Sequence, residues 1–277
     1  RHHSTTTSFS MNFVCAFLHE ATPLIDELGL KKENSSTFTL YQKREHRLVV
    51  SGLGPEKIAH AVSFLHQLDS QPAVPWLNIG IAGHGSAEIG SAHLVVKCTD
   101  RKTQKSIYPP QLFSSLLPKT ILETVEKPAT DYKNGVAYDM EGYAFLKSAS
   151  CHSSAELVQS VKVVSDNPDN PVSQFDKSTV HEMISSHLPS LVDLIDEMEA
   201  LSHQILPSPE IELCFNKIFP CQSFTETQSH QLRKAIRQAI ALGVPVNELE
   251  STSQDSKDSR SALQQINQLL DRKRLYP

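Results

Sequence analysis

Three short stretches of the chain set carboxylates where they could do chemistry. "AYDMEGYAF" places Asp139 and Glu141 on either side of Met140, "FLHEATPL" follows an apolar run with Glu20, and "VKVVSDNPDN" ends another on Ser165, Asp166 and Asn167. A carboxylate can accept from two neighbouring hydroxyls or take a proton from water; where burial raises its pKa, it can protonate a leaving group. Each acid alone has a plainer reading. Asp139 and Glu141 fall in the first turn of an expected helix, where the dipole favours acids; Glu20 opens a helix in the same way, and Asp166 precedes a proline-rich turn. Only their joint placement argues for a shared site.

The elements that would position them alternate. Strand-like runs are "NFVCAFL", "FTLYQ" and "HRLVVSGLG" joined by the charged turn "KREH", then "WLNIGIAG", "AHLVVKC" and "LVQSVKVVSD". Between them, "EATPLIDELGL" carries Leu24, Ile25 and Leu28 on one face and stops at Gly29. "PEKIAHAVSFLHQL" starts on Pro55 and repeats Ile58, Ala61, Val62 and Leu65 at helical spacing. This alternation predicts an α/β domain whose central sheet is mixed but largely parallel and flanked by helices. Ligands of such sheets bind at the carboxyl ends of the strands. The residues past each run therefore face one crevice: His19 and Glu20; Ser51, Gly52 and Gly54; Gly80, Ala82, Gly83 and His84; Asp139 and Glu141; Ser165, Asp166 and Asn167.

Composition narrows the class. A chain of 277 residues, 39% apolar, can bury a substantial core, and a net charge of −5 with pI near 6.2 gives no general attraction to nucleic acid or an anionic membrane. No apolar run reaches membrane-spanning length, and "RHHSTTTSFS" lacks the apolar centre of a secretory signal, so a soluble intracellular protein is expected. Residues 1–10 read as tag-like or as a flexible native extension. The five cysteines are scattered, without a CxxC pair, and predict reduced, mostly buried thiols with no zinc site.

Four segments in order resemble the nucleoside phosphorylase superfamily, in particular its methylthioadenosine/S-adenosylhomocysteine nucleosidases. They are "CAFLHEATPL", "VVSGLGPEKIAHAVSFL", "LNIGIAGHGSAEIGSAHLVV" and the pair "DMEGYA" with "VKVVSD"; the likeness covers residues 12–204. The resemblance implies a three-layer nucleoside phosphorylase-like domain over 11–204 that cleaves an N-glycosidic bond. Asp166 would donate to the base, Glu141 would grip the ribose 2′ and 3′ hydroxyls, Met140 would pack on the sugar, and Glu20 would deprotonate the attacking water. Asn78, Ala82, Gly83 and Ser165 would line the substrate, with Asp139 supporting the site or capping the helix. It implies no metal or organic cofactor, a nucleoside and water as the only small-molecule partners, a cytoplasmic location, and a homo-oligomer, with a dimer the family's habit.

Phosphate as nucleophile is the alternative, and the residues argue against it. Phosphorylases of the superfamily open the glycine-rich segment with arginine, where this chain has Asn78, and Glu20 would repel phosphate. Arg44 and Arg47 sit in the charged turn within reach of an anion, but a solvated hairpin is the reading preferred for them. A nucleoside-binding protein without turnover is a further alternative, because the sequence departs from the family. Ile81 replaces a small hydroxyl residue, His84 a glycine, and Asn167 follows the aspartate; His84 is open between a substrate contact and a loop role. The segment that stacks on the purine is shortened, leaving Tyr108 and Phe113 in "IYPPQLFSSLLPKTILETV". The base pocket is then open, finished by another subunit, or fitted to a base other than adenine.

Residues 176–204 read as one long helix with a kink or break at Pro189. Beyond them, 205–277 reads as a helical extension of unknown role with two polar helices: one carries Leu232, Ile236 and Ile240, the other Leu263, Ile266 and Leu270. The linker "ESTSQDSKDS" between them is expected to be mobile.

Overall fold

Every residue of the first strand, β1 (Met11–Cys15), is buried, and the chain turns directly from it into helix α1 (Leu18–Leu28). In the computed structural model the described residues are 10–35, 37–68, 73–129, 131–170, 177–205, 209–219, 224–253, 256 and 258–275. The tag-like stretch 1–9 and Cys221 lie outside them. The remaining strands are β2 (Lys31–Glu33), β3 (Thr39–Lys43), β4 (His46–Val50), β5 (Trp76–His84), β6 (Ala92–Asp100), β7 (Ser106–Ile107), β8 (Lys119–Thr124), β9 (Val136–Asp139) and β10 (Val158–Asp166). Helices α2 (Pro55–Leu68) and α3 (Gly142–Ala149) alternate with them, and α4 (Lys177–Ser185) and α5 (Leu188–Ile205) follow β10.

The sheet closes on itself at one side. β10 pairs with both β5 and β6, and β6, β8 and β9 lead back to β5, so five strands form a ring from which β1, β4, β3 and β2 extend as an arm. Five of the ten pairings are parallel (β1–β4, β1–β5, β10–β5, β6–β8, β8–β9) and five antiparallel. The largely parallel sheet expected from the alternation is thus corrected to an evenly mixed one. Hairpins β2–β3–β4 and β6–β7 contribute three antiparallel pairs, and closure through β5–β9 and β6–β10 contributes the other two.

Two apolar faces bury the sheet. On one, Phe13, Leu48, Ile79 and Val161 meet Leu24 of α1, Ile184 of α4 and Leu191, Leu194 and Met198 of α5. On the other, Val14, Val49 and Val158 meet Ile58, Val62 and Leu65 of α2 and Phe145 and Leu146 of α3. Burying each such side chain contributes about 1.5–3 kcal/mol, which sets the helical periods read from the sequence. The expected helix over 176–204 is two helices, because Ser186 and His187 interrupt it just before Pro189, which sits in the first turn of α5 where its missing N–H costs nothing.

The chain divides into a first unit up to His203 and a second from Gln204. The second contains α6 (Pro209–Ile218), α7 (Glu226–Ala241), α8 (Val246–Ser253) and α9 (Ser259–Leu275), four helices among the described residues where two were expected. They enclose their own core of Cys214, Phe215, Leu232, Ile236, Leu249, Ile266 and Leu270. Four residues of the expected linker, 250–253, belong to α8, and Ser256 is buried with its hydroxyl donating to Gln265 Oε1 at 2.6 Å. Cys15, Cys98 and Cys214 are free and buried, and Cys151 is free and exposed. No helix among the described residues is long and apolar enough to cross a membrane.

Candidate active site

Strand β5 has two neighbours on one edge: its first residues, Trp76–Asn78, pair with β1, and its last, Gly83 and His84, pair with β9. Between them the sheet forks. The Ile81 N–H in this fork donates to Glu20 Oε1 at 3.0 Å, and Glu20 Oε2 accepts from the Phe17 N–H at 2.9 Å. Glu20 is thus fixed twice, by β5 and by the start of its own helix, where an acid three residues past the helix boundary caps the first turn. It is 2% exposed. Burial raises its pKa, and the two N–H groups and Lys162 oppose the shift without cancelling it. Gly80 lies against it: a Cβ there would stand 3.2 Å from Glu20 Oε1 and 3.5 Å from Lys162 Nζ.

Lys162 is a residue that sequence reasoning missed, although one lysine within the wholly buried β10 was signal enough, since buried lysines are paired. Its Nζ lies 2.8 Å from Asp139 Oδ2. Burial alone would lower its pKa, but Asp139, Glu141 and Glu20 together carry it above the ordinary lysine value. Asp139 also accepts from the Gly142 N–H at 2.7 Å, at the start of α3, and from the Thr124 hydroxyl at 2.8 Å. It therefore joins β8, β10 and α3 behind the crevice. Glu141 Oε1 accepts from the Gly54 N–H at 2.7 Å. That contact requires the loop after β4 to turn through φ +107° at residue 54, a conformation glycine adopts without strain. The Glu141 pKa is pushed up to about 7, by burial first and then by the Asp139 charge. Three buried carboxylates thus surround one ammonium, and Met140, half-buried, lies between two of them in sequence.

Asp166 marks the other end. Its Oδ1 accepts from the Ser165 hydroxyl at 2.6 Å, and its Oδ2 accepts from the Tyr132 hydroxyl. A Cβ on Gly83 would lie 2.5 Å from Asp166 Oδ2 and 2.7 Å from Tyr132 Cε1, so only glycine leaves room for both. Glu20 lies against Gly80 and Asp166 against Gly83, three positions further along β5 and past a register shift in β10 between Val164 and Asp166. Tyr132 gave no sequence signal, because it lies in a loop of charged and small residues.

Several expected site residues serve the scaffold instead. Asn78 is 1% exposed; its Nδ2 donates to Val14 O at 3.0 Å and its Oδ1 accepts from Ser160 at 2.9 Å, so it staples β1 and β10 rather than holding a ligand. His84 Nδ1 accepts from the N–H groups of Ser86 and Ala87, its Nε2 lies 3.2 Å from Thr120 Oγ1, and its ring stacks on His93. That fixes a turn, and burial lowers its pKa. Asn167 Oδ1 accepts from the N–H groups of Asp169 and Asn170, closing its own turn. Ala82 packs into the core, and Ile81 offers its backbone N–H while its side chain packs against the sheet. Arg47 is buried at the first end of β4, in register with Asn12, far from the carboxyl ends, and Arg44 is an exposed turn residue at φ 54°. Tyr108 is 63% exposed and Phe113 packs against the core, and the end of their segment is strand β8. Among the described residues no group of three or more His, Cys, Asp or Glu side chains is arranged to hold a metal ion.

No family model and no curated protein matches this chain. Solved structures do. A 5′-methylthioadenosine nucleosidase from Arabidopsis thaliana in apo form is 18% identical, with a TM-score of 0.58, and the match covers 69% of this chain and 96% of that one. The 5′-methylthioadenosine/S-adenosylhomocysteine nucleosidase of S. pneumoniae with a transition-state inhibitor is 18% identical at a TM-score of 0.56, covering 70% and 100%. A futalosine hydrolase mutant of Helicobacter pylori is 11% identical at a TM-score of 0.55, covering 69% and 100%. The likeness is one of fold, and it agrees with the motif resemblance drawn from the sequence.

Proposed function

We propose that this chain, which shares its fold with those nucleosidases, hydrolyses the N-glycosidic bond of a purine-type nucleoside such as methylthioadenosine or S-adenosylhomocysteine. The observation that carries the reading is the fork in β5, with one fixed carboxylate against Gly80 and a second against Gly83. Asp166 protonates the base as the bond stretches, and the electron pair of the bond leaves with the base. Glu141 accepts from the ribose hydroxyls and holds the sugar as positive charge develops on it, with Met140 against the ring. Glu20 takes a proton from water, whose oxygen joins the anomeric carbon. Lys162 keeps the clustered acids compatible in one buried space.

Water rather than phosphate is the nucleophile on charge grounds. Among the described residues the only cation in the cluster is Lys162, already paired with Asp139, so a phosphate would enter a site of excess negative charge. The resemblance implies a homodimer, and the exposed Leu112, Leu116 and Ile121 offer apolar area for such a contact. The buried free thiols suit the reducing cytoplasm. The test is base release from a panel of nucleosides with and without phosphate. The reading expects release without phosphate and at least a hundred-fold loss, roughly, in Asp166→Asn. Strict dependence on phosphate, or full activity in that variant, overturns it.

A further inference from the structure

We propose that Tyr132 is an autoinhibitory occupant of the base end of the site, standing where a leaving base must meet Asp166. The inference rests on the nucleosidase reading above and adds how access to that site is controlled. A general acid works only within hydrogen-bond reach of its base, about 2.6–3.2 Å. Of the two Asp166 oxygens, Oδ1 accepts from Ser165 and Oδ2 from the Tyr132 hydroxyl. The second lone pair of Oδ2 is not free for a planar ring either. Oδ2 and the edge of the phenol ring both lie on the bare face of Gly83, within 2.5 and 2.7 Å of where a Cβ would stand. A base and the phenol therefore compete for one place.

Around Tyr132 the backbone is fastened by its neighbours. The Lys133 N–H donates to Tyr138 Oη at 3.0 Å and the Gly135 N–H to Ser86 Oγ at 3.2 Å. The Lys133 carbonyl crosses so close over Gly85 that a Cβ there would stand 1.9 Å from it. Tyr132 itself is half-buried, with its ring edge-on to Tyr138 at 5.5 Å. Under this proposal a ligand gains the place at Gly83 by rotating the Tyr132 side chain off Asp166, the loop backbone staying in place. Each ligand must first break the hydrogen bond between Tyr132 and Asp166, which weakens binding by roughly ten-fold.

The test is calorimetric titration of the full chain with adenine, a readout independent of turnover, in the wild type, Tyr132→Phe and Tyr132→Ala. Removing the hydroxyl should tighten adenine binding about ten-fold, and removing the ring should also tighten it. Thermal melts establish that each variant is folded, and either folded variant suffices. Unchanged or weaker binding in the folded variants overturns the inference, as does absence of adenine binding in all three proteins. Tighter binding without base release from any nucleoside would leave the occupant role standing and remove the proposed reaction. Base release with no gain in adenine affinity would do the reverse.

Discussion

At the scale of single residues, the cluster of Glu20, Asp139 and Glu141 around Lys162 sets the pH behaviour. The Glu141 pKa in the fold, about 7, lies above its ordinary 4.5, so between those values the native state binds a proton that the unfolded chain releases. Stability from this group is complete below the unfolded value and lost as pH rises through 7. The buried Glu20, shifted the same way, adds to the trend. Stability should therefore fall by on the order of 2–3 kcal/mol from pH 5 to pH 8, read as a lower melting temperature, and Glu141→Gln should flatten much of that slope. Nucleoside affinity should move oppositely, tightening as Glu141 ionises, because a diol clamp needs an acceptor. A melting curve independent of pH in the wild type would contradict the buried cluster. The acids themselves were legible from the sequence, each following an apolar run. Lys162 was legible but overlooked within "SVKVVSD", and Tyr132 was not, because only the folded loop brings it to Asp166.

At the scale of elements, patterning exposed the strands whose buried positions are apolar and hid the others. β5 and β10 are buried along nearly their whole length around apolar stretches, and α2 repeats at the helical period. β8 was missed because two of its three buried positions are Thr120 and Thr124, and β2 because all three of its residues are exposed. Pairing direction was misjudged for a different reason: a run of apolar residues states that a strand is buried, not which neighbour it takes. The loop from β8 to β9 is held by its crossing over Gly85. Gly85→Ala should therefore cost about 1–3 kcal/mol, read as a lower denaturant midpoint, because backbone carbonyl faces the new methyl and cannot rotate away. An unchanged midpoint would show that the crossing is looser than 1.9 Å implies.

At the scale of the whole molecule, the two units keep separate cores. The clusters that bury the sheet contain residues up to Met198, and the third begins at Ile211. A chain ending at Ile205 should thus melt within about 4 °C of the first unit in the full protein and release base at a similar rate. Loss of cooperative melting on truncation would show that the sheet depends on the tail. The tail's helices were half legible: α7 and α9 have clear apolar stripes, whereas α8, "VNELESTS", reads as linker because serine and threonine crowd it. The central claim is that one nucleoside meets Glu20, Glu141 and Asp166 at once, and it is tested most directly by a crystal structure of Asp166→Asn soaked with methylthioadenosine. The account predicts the base against position 166, both ribose hydroxyls on Glu141, and a water between Glu20 and the anomeric carbon. A nucleoside bound with its ribose away from Glu141, or with Glu20 reaching neither water nor sugar, would contradict it.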